Sequence, residues 1–179
     1  AGTDFFNEII DNDLEPGIPN LYSLKALCDV LQKRGVTDFP IHIKLDSGMH
    51  RLGFMTEEMD ELLAFLKDCR YVKVKSVYSH LAAADDPESD DFTLGQISLF
   101  KENADRLSDG IGYKPMYHVL NSAGIERFPE YQFDMVRLGI GIYGVSVLPG
   151  NHLTPVASFK CKILQVKSLE PRSEEHTSE

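Results

Sequence analysis

The stretch IHIKLD at residues 41–46 alternates apolar and polar side chains without interruption. Period-two alternation is typical of a strand that is buried on one face and polar on the other. After a short loop, Thr56 begins a pattern in which apolar side chains recur three and four positions apart, as on one face of a helix. A strand followed by an amphipathic helix is the first half of a βαβ unit, so this stretch indicates an α/β fold.

The same succession of strand and helix extends in both directions along the chain. Further strands are predicted at residues 18–22, 72–81, 116–122 and 132–143. Ser23 is expected to cap a helix that ends at Gly35, and Thr93 is expected to form a capping box with Gln96 at the start of another helix. Strands separated by helices predict a parallel sheet, because parallel strands need a crossover connection between them.

The composition excludes several classes of protein. A chain of 179 residues with 42% hydrophobic and 26% charged residues is that of one ordinary globular domain. A net charge of −10 offers no basic footprint for nucleic acid, and no apolar run approaches the roughly 20 residues that a bilayer requires. The three cysteines lack C-x-x-C spacing, which favours reduced thiols in a cytoplasmic protein. We therefore expect neither a nucleic-acid partner nor a membrane.

Polar residues recur where the predicted strands end. Lys44 and Asp46 close the strand quoted above, while His80, Asn121 and Arg137 lie at or near the ends of three others. In (β/α)8 barrels the carboxyl ends of the strands and the loops after them converge to build the active site. Successive strands that each end on a polar residue therefore predict a functional site at one rim of the sheet.

Two glycine-containing segments add a candidate phosphate site. RLGIGIYG (137–144) contains Gly139 and Gly141, which let backbone amides approach a ligand closely. In NSAG (121–124), Ser122 opens a helical turn whose first amides have no partner within the helix. The glycines of RLGIGIYG alone are better explained by a tight turn or close packing. The two segments together favour phosphate binding.

The same residues also have purely structural interpretations. His80 can be an ordinary buried histidine, and Arg137 can pair with Asp134. Lys44 and Asp46 can form an ion pair within the sheet. No metal site is indicated, because the histidines lack the spacing of zinc ligands: His42, His50, His118 and His152. A serine nucleophile is not indicated either, because no G-x-S-x-G elbow occurs.

Four motifs follow one another in the chain: IHIKLDSGMHRLGF (41–54), SHLAA (79–83), HVLNSAGIERFPE (118–130) and FDMVRLGIGIYG (133–144). Together they resemble alanine racemases, enzymes of fold type III that depend on pyridoxal 5'-phosphate (PLP). The resemblance runs from about Thr3 to Val166. GMHRLGF and NSAGIERFPE resemble most the racemase half of proteins fused to a ligase that adds D-alanyl-D-alanine to a muramoyl tripeptide.

The resemblance implies a fold and a division into domains. The family has an N-terminal (β/α)8 TIM barrel that carries the cofactor, followed by a β-rich C-terminal domain. Residues 1–150 would then be the C-terminal part of this barrel, about strands 4–8. Residues 151–172 would begin the β-domain, since VASFKCKILQVKSL after Pro155 alternates like a long strand. Residues 173–179 are polar and patternless, and we expect a disordered or non-native tail there.

The resemblance also implies which residues bind the cofactor. Arg137 matches the arginine that bonds the pyridine nitrogen of PLP. Ser122 and the amides of Gly139 and Ile140 match the cradle of the phosphate. Arginine keeps its proton, with a pKa above ~12, so Arg137 can only donate to the ring nitrogen, which stays unprotonated. A carbanion that is less delocalised is quickly reprotonated, which suits a racemase.

Four more residues match family positions around the cofactor and the substrate. Asn121 and His80 match residues that line PLP, the histidine lying against its ring. Arg51 matches the arginine that contacts the phenolic oxygen of PLP and the carboxylate of the substrate. Lys44 matches a lysine that is carbamylated in some members, where the carbamate orients that arginine.

The implied function is interconversion of L-alanine and D-alanine for peptidoglycan synthesis, in a homodimer whose active site is shared between subunits. The family uses two bases: a Schiff-base lysine on the first barrel strand and a tyrosine from the partner's β-domain. Neither has a match in this sequence. We therefore expect the chain to be a fragment that is marginally soluble and inactive alone.

Two other functions remain open from the sequence. One is a non-catalytic PLP carrier protein of the same barrel fold, although the strand predicted after Pro155 argues against it. The other is part of a phosphate-binding TIM barrel with unrelated chemistry.

Overall fold

The structure is a computed structural model that describes residues 3–150 and 153–168. Within these ranges four parallel strands form one sheet, in the order in which they occur in the chain. The strands are β1 (Gly17–Ile18), β2 (Phe39–Lys44), β3 (Val72–Tyr78) and β4 (Met116–His118). The helices are α1 (Thr3–Asp11), α2 (Leu21–Arg34), α3 (Met59–Asp68), α4 (Asp90–Ile111) and α5 (Ser122–Arg127). The predicted parallel α/β arrangement is confirmed.

β2 is the centre of this arrangement because it pairs on both sides. Ile43 is opposite Ile18 of β1 and Val77 of β3. Ile41, Ile43 and Leu45 are at most 1% exposed and belong to the hydrophobic core. The alternation predicted for this strand is confirmed, although the strand begins at Phe39 and ends at Lys44.

The start of α2 differs from the prediction. The Asn20 side chain accepts a hydrogen bond from the Ser23 amide at 2.8 Å, so Asn20 is the N-cap and the helix begins at Leu21. The predicted cap at Ser23 is wrong, and the strand predicted at 18–22 is reduced to β1. The end of the helix is confirmed, since Gly35 adopts the left-handed conformation with φ of 68°.

α4 begins earlier than expected. A 3-10 turn at Pro87–Ser89 leads into the helix, and the Asp86 side chain accepts from the Glu88 amide at 3.0 Å. The capping box predicted from Thr93 and Gln96 is wrong, because both residues lie inside the helix. The Gln96 side chain instead accepts from the Ala82 amide at 2.9 Å, which ties α4 to the loop after β3.

The two strands predicted nearest the C-terminus are not formed. Residues 132–139 have no regular structure, and a 3-10 turn follows at Ile140–Tyr143. Backbone bonds from Asp134 to Tyr117 and from Arg137 to Leu120 hold this segment beside the end of β4, too few for a ladder. Residues 153–168 form no helix or strand, and the backbone bond that joins them to the 3-10 turn, from Val156 to Tyr143, is too little for a ladder.

The expected fifth strand of the partial barrel is therefore absent from the described residues. The predicted start of a β-domain at 151–172 lies partly outside them, as does the whole tail at 173–179, and both stay predictions. No helix within the described ranges has both the length and the apolar character needed to cross a bilayer.

Candidate functional site

A row of three side chains crosses the sheet near its carboxyl edge. Lys44, Tyr78 and His118 are register partners on β2, β3 and β4, so they share the face opposite to that of Ile43. The Tyr78 and His118 rings are stacked with their centroids 5.2 Å apart. The Lys44 ammonium lies 5.7 Å from the centre of the Tyr78 ring. This row forms the floor of the site.

The guanidinium of Arg137 lies above this row, 5.4 Å from the centre of the Tyr78 ring. It donates to the Ser79 carbonyl, to the His118 carbonyl at 3.1 Å and to the Val119 carbonyl at 3.2 Å. Its Nη1 is also 2.6 Å from Nδ1 of His118. Arg137 is thus anchored at the carboxyl ends of β3 and β4, and the alternative pairing with Asp134 is not formed. The Asp134 carboxylate accepts from the Tyr117 amide instead.

Burial decides the charge of the groups around Arg137. Burial, with the nearby charge of Arg137, lowers the pKa of His118 to about 4, so its imidazole is neutral at neutral pH. Burial also lowers the pKa of Arg137, but a guanidinium still keeps its proton. A fixed positive charge therefore lies beside a neutral acceptor.

Lys44 is a buried amine, 8% exposed. Burial lowers its pKa, the charges of Arg51 and Arg137 act in the same direction, and Asp46 opposes them. The ion pair with Asp46 considered from the sequence is not formed among the described residues. One oxygen of the Asp46 carboxylate accepts from the amides of Gly48 and His50, at 3.0 and 3.1 Å. A larger fraction of Lys44 is therefore in the neutral, nucleophilic form than for an exposed lysine.

Arg51 is exposed in a loop that leaves β2 and returns to it. The loop is closed where Phe54 bridges Leu45, with the Asp46 amide donating to the Phe54 carbonyl at 2.8 Å. Gly53 makes the return possible: its φ is +125°, and a Cβ there would lie 2.6 Å from the Asp46 nitrogen. The charge of Arg51 acts on both Lys44 and His80, so the loop holds this cation near the row.

Beside the row, five of the predicted residues line one cavity of about 450 Å³. They are His80, Asn121, Ser122, Gly139 and Ile140. Burial lowers the pKa of His80, and Arg137, Lys44 and Arg51 lower it further, so the neutral ring is favoured. The structure therefore brings these residues together, with the three cations within electrostatic reach of the cavity.

The candidate phosphate cradle has a defined hydrogen-bonding pattern. The Ser122 hydroxyl oxygen accepts from the Gly139 amide at 2.9 Å and from the Gly141 amide at 3.0 Å. Gly141 thus joins the predicted cradle as a second amide directed at Ser122, and the role of the Ile140 amide stays a prediction. Asn121 has a structural role, since its side chain accepts from the Gly124 amide and donates to the Leu81 carbonyl.

Sequence analysis missed two residues of this site, Tyr78 and His118. The signal was present, because both lie on the same strand faces as the predicted residues at the rim. From the sequence His118 was considered only as a zinc ligand, and Tyr78 was not considered for the site.

A family model for the alanine racemase N-terminal domain matches residues 2–147. The chain belongs to this family. Alanine racemase 1 of Oceanobacillus iheyensis is 35% identical over 175 residues, which are 92% of this chain and 44% of that protein. This chain thus spans less than half the length of this curated alanine racemase.

Solved structures of alanine racemases are also similar. The enzyme of Streptomyces lavendulae matches with a TM-score of 0.72 and 28% identity, over 79% of this chain and 37% of that one. The Bartonella henselae enzyme, which has covalently bound pyridoxal phosphate, matches with a TM-score of 0.69 and 27% identity, over 84% and 41%. The predicted fold, part of the α/β barrel of alanine racemases, is confirmed.

Proposed function

We propose that the full-length protein is an alanine racemase that uses PLP, and that the described residues supply part of its cofactor site. Family membership supports this proposal, and one feature carries it. The Arg137 guanidinium lies at the carboxyl ends of β3 and β4, held by strand carbonyls and by the neutral imidazole of His118. Such a group recognises a ring nitrogen by donating a hydrogen bond without giving up its proton.

The donor set around Ser122 fits the phosphate group of PLP. A phosphate ester accepts several hydrogen bonds, and the amides of Gly139 and Gly141, which donate to the Ser122 oxygen in this structure, would turn to the phosphate together with the Ser122 hydroxyl. We assign Ser122, Gly139, Gly141 and Ile140 to this group. His80 borders the same cavity and would lie against the ring.

When bound, PLP withdraws electrons from the α-carbon of an amino acid and so makes its proton more acidic. Arg137 limits that withdrawal, because it leaves the pyridine nitrogen neutral. Limited electron withdrawal favours return of the proton to the α-carbon over side reactions. The residues of the row keep Arg137 in one orientation throughout.

We assign the substrate carboxylate to Arg51, with Lys44 as the group that orients it. The lowered pKa of Lys44 raises its neutral fraction, and a neutral amine adds to carbon dioxide. In that step a nitrogen–carbon bond forms and one proton leaves to solvent. The resulting carbamate anion would lie near the positive charges of Arg51 and Arg137, which stabilise it.

The two bases of the reaction, the dimeric state and the cytoplasmic location are part of the same proposal. In it, the lysine that holds the cofactor and the tyrosine of the partner subunit come from residues outside this chain. D-alanine produced in the cytoplasm would serve peptidoglycan synthesis. Fusion to a ligase stays a prediction.

The test uses the protein from the complete reading frame, loaded with PLP. In D2O, L-alanine is expected to exchange its α-proton and to yield D-alanine, which proton NMR and chiral chromatography measure. The 179-residue chain is expected to show neither reaction. Loaded protein that leaves the α-proton of alanine in place would overturn the proposal.

A second experiment tests the phosphate assignment. Ser122→Ala is expected to weaken PLP binding about 10-fold, since a hydrogen bond to a charged group contributes ~1.5 kcal/mol. Binding of pyridoxal, which lacks the phosphate, is expected to stay unchanged. Ser89→Ala is the matched control, because its hydroxyl donates to Asp86, which is not among the residues that line the cavity.

A further inference from the structure

A chain of hydrogen-bonded side chains runs along the sheet from its exposed edge to Arg137. Glu15 Oε2 lies 3.0 Å from His42 Nε2, and His42 Nδ1 lies 2.6 Å from the Ser76 hydroxyl. The Ser76 hydroxyl lies 2.9 Å from His118 Nε2, and His118 Nδ1 lies 2.6 Å from Arg137 Nη1. Five side chains are therefore joined by four contacts, which we name the relay.

The direction of every hydrogen bond in the relay follows from its two ends. Arginine has donors only, so His118 Nδ1 has to accept from Arg137. The proton of the neutral His118 ring is then on Nε2 and is donated to Ser76. With the opposite tautomer, two N–H groups would face each other at 2.6 Å.

The outer half of the relay follows in the same way. Ser76 is fully buried, with 0% exposure, and its hydroxyl has a single proton. Since the oxygen accepts from His118, the proton goes to Nδ1 of His42, which therefore has none of its own. The proton of His42 is on Nε2 and is donated to Glu15.

Glu15 is a suitable end for the relay because it remains an acceptor. The Lys75 ammonium bonds its other oxygen, and this contact is the main cause of the lowered pKa of Glu15. A carboxylate that stays ionised can only accept hydrogen bonds, as a guanidinium can only donate them. The relay thus has at one end Arg137, which only donates hydrogen bonds, and at the other Glu15, which only accepts them.

We propose that Glu15, His42 and Ser76 are positioning residues that fix the tautomer of His118 and thereby the orientation of Arg137. They touch neither cofactor nor substrate and act through His118. The consequence for catalysis rests on the proposed function, because Arg137 is assigned there to the ring nitrogen. The relay itself is a property of the described residues and is tested without PLP.

The test is an NMR measurement of the imidazole nitrogens in the protein from the complete reading frame, labelled with 15N-histidine and free of PLP. Two-bond proton–nitrogen correlations distinguish the two neutral tautomers and the doubly protonated ring. From these contacts we expect the ring proton on Nε2, with Nδ1 unprotonated, in both His42 and His118. A proton on Nδ1 of either ring would overturn the proposal.

Two variants separate the relay from Arg137 alone. Ser76→Ala removes the link, so the shifts of the two His118 nitrogens are expected to move towards each other as the second tautomer becomes populated. Ser47→Ala is the matched control, since this serine is also buried, with 4% exposure, but its hydroxyl contacts that of Ser79 outside the relay. His118 shifts that are unchanged in Ser76→Ala would overturn the proposal, because Arg137 would then set the tautomer by itself.

Glu15→Ala keeps the proposal testable if Ser76→Ala fails to fold. Glu15 is at the exposed end, and its loss removes no buried packing. We expect the His42 nitrogens to shift most and those of His118 to shift less, in the order of the relay. Unchanged shifts of His42 in this variant would contradict the assignment.

Discussion

The sheet region, residues 17–128, and the C-terminal segment, residues 132–150 and 153–168, have similar sequence patterns but different structures. Both contain alternating apolar residues that predict strands. In the sheet region Ile43 is fully buried, whereas in the C-terminal segment Ile163 is 82% exposed. Alternation makes a strand possible, but a strand forms only where a neighbour completes its hydrogen bonds and a core covers its apolar face.

The contrast also locates the candidate site. The anchors of Arg137 are carbonyls and side chains at the ends of β3 and β4, within the sheet region. Arg137 itself belongs to the C-terminal segment, which is held there by few backbone bonds. The site is thus built where an ordered region meets a loosely held one.

The largest expected difference concerns two isoleucines. Ile43→Ala leaves a cavity in the core and is expected to lower the free energy of unfolding by about 2–5 kcal/mol. Ile163→Ala is expected to change it by less than about 0.5 kcal/mol, since that side chain is exposed. Urea unfolding followed by circular dichroism measures both. Should Ile43→Ala abolish folding, Ile43→Val gives the same test at about 1 kcal/mol. Equal effects of the two alanine variants would remove the distinction between the regions.

Two glycines sharpen the comparison. A Cβ at Gly53 would lie 2.6 Å from backbone that β2 fixes, and a Cβ at Gly144 would lie 2.2 Å from the Thr154 carbonyl oxygen. Both residues have positive φ. Gly53→Ala is expected to lower the free energy of unfolding by about 2–3 kcal/mol. Gly144→Ala is expected to lower it by only about 1 kcal/mol, because residues 153–168 can move aside. A cost for Gly144→Ala above that for Gly53→Ala would show that the C-terminal segment is rigidly packed.

The pH dependence of stability is expected to come from the sheet region. The ordinary pKa of histidine is 6.5 and that of His118 is about 4, so the unfolded state binds the proton more tightly. Stability is therefore complete above pH 6.5 and is lost as the pH falls towards 4, by up to about 1.4 kcal/mol per pH unit. His80, whose pKa is also lowered, contributes with the same sign.

The variant His118→Gln tests whether His118 causes this change of stability with pH. Unfolding free energies measured across that pH range are expected to vary less in the variant than in the wild type. Equal slopes of unfolding free energy against pH in the two proteins would mean that groups other than His118 take up the proton.

The smallest effect on stability is expected in the C-terminal segment. Phe159 and Leu164 are 97% and 96% exposed. Replacing both with serine is expected to leave the free energy of unfolding unchanged within about 0.5 kcal/mol. Exposed apolar surface favours association, so light scattering is expected to report less self-association in the variant. An unchanged scattering signal would mean that these side chains take no part in association.

The sequence was most informative where the pattern and the pairing agree. β2 and β3 were predicted because alternation coincides with burial on one face, and Gly35 ends α2 because only glycine adopts its φ readily. The starts of α2 and α4 were not predicted. Asn20 caps α2 and Asp86 caps the 3-10 turn that leads into α4, and local sequence does not rank these residues above the predicted caps.

The candidate site was predictable as a set of residues but not as a network. Parallel strands bring their carboxyl ends to one edge, which is why His80 and Asn121 were expected to meet. The partners of Arg137 depend on the register between strands and on the turn of the chain after β4. Neither is encoded by local spacing, so the contact with His118 required the structure.

The most direct test of the role of Arg137 is the protonation state of the bound cofactor. PLP labelled with 15N in its ring is bound to the protein from the complete reading frame, and its nitrogen shift is measured by NMR. We predict an unprotonated, hydrogen-bonded ring nitrogen in the wild type and a protonated one in Arg137→Glu. A protonated nitrogen in the wild type, or the same shift in both proteins, would contradict the placement of Arg137 at the ring.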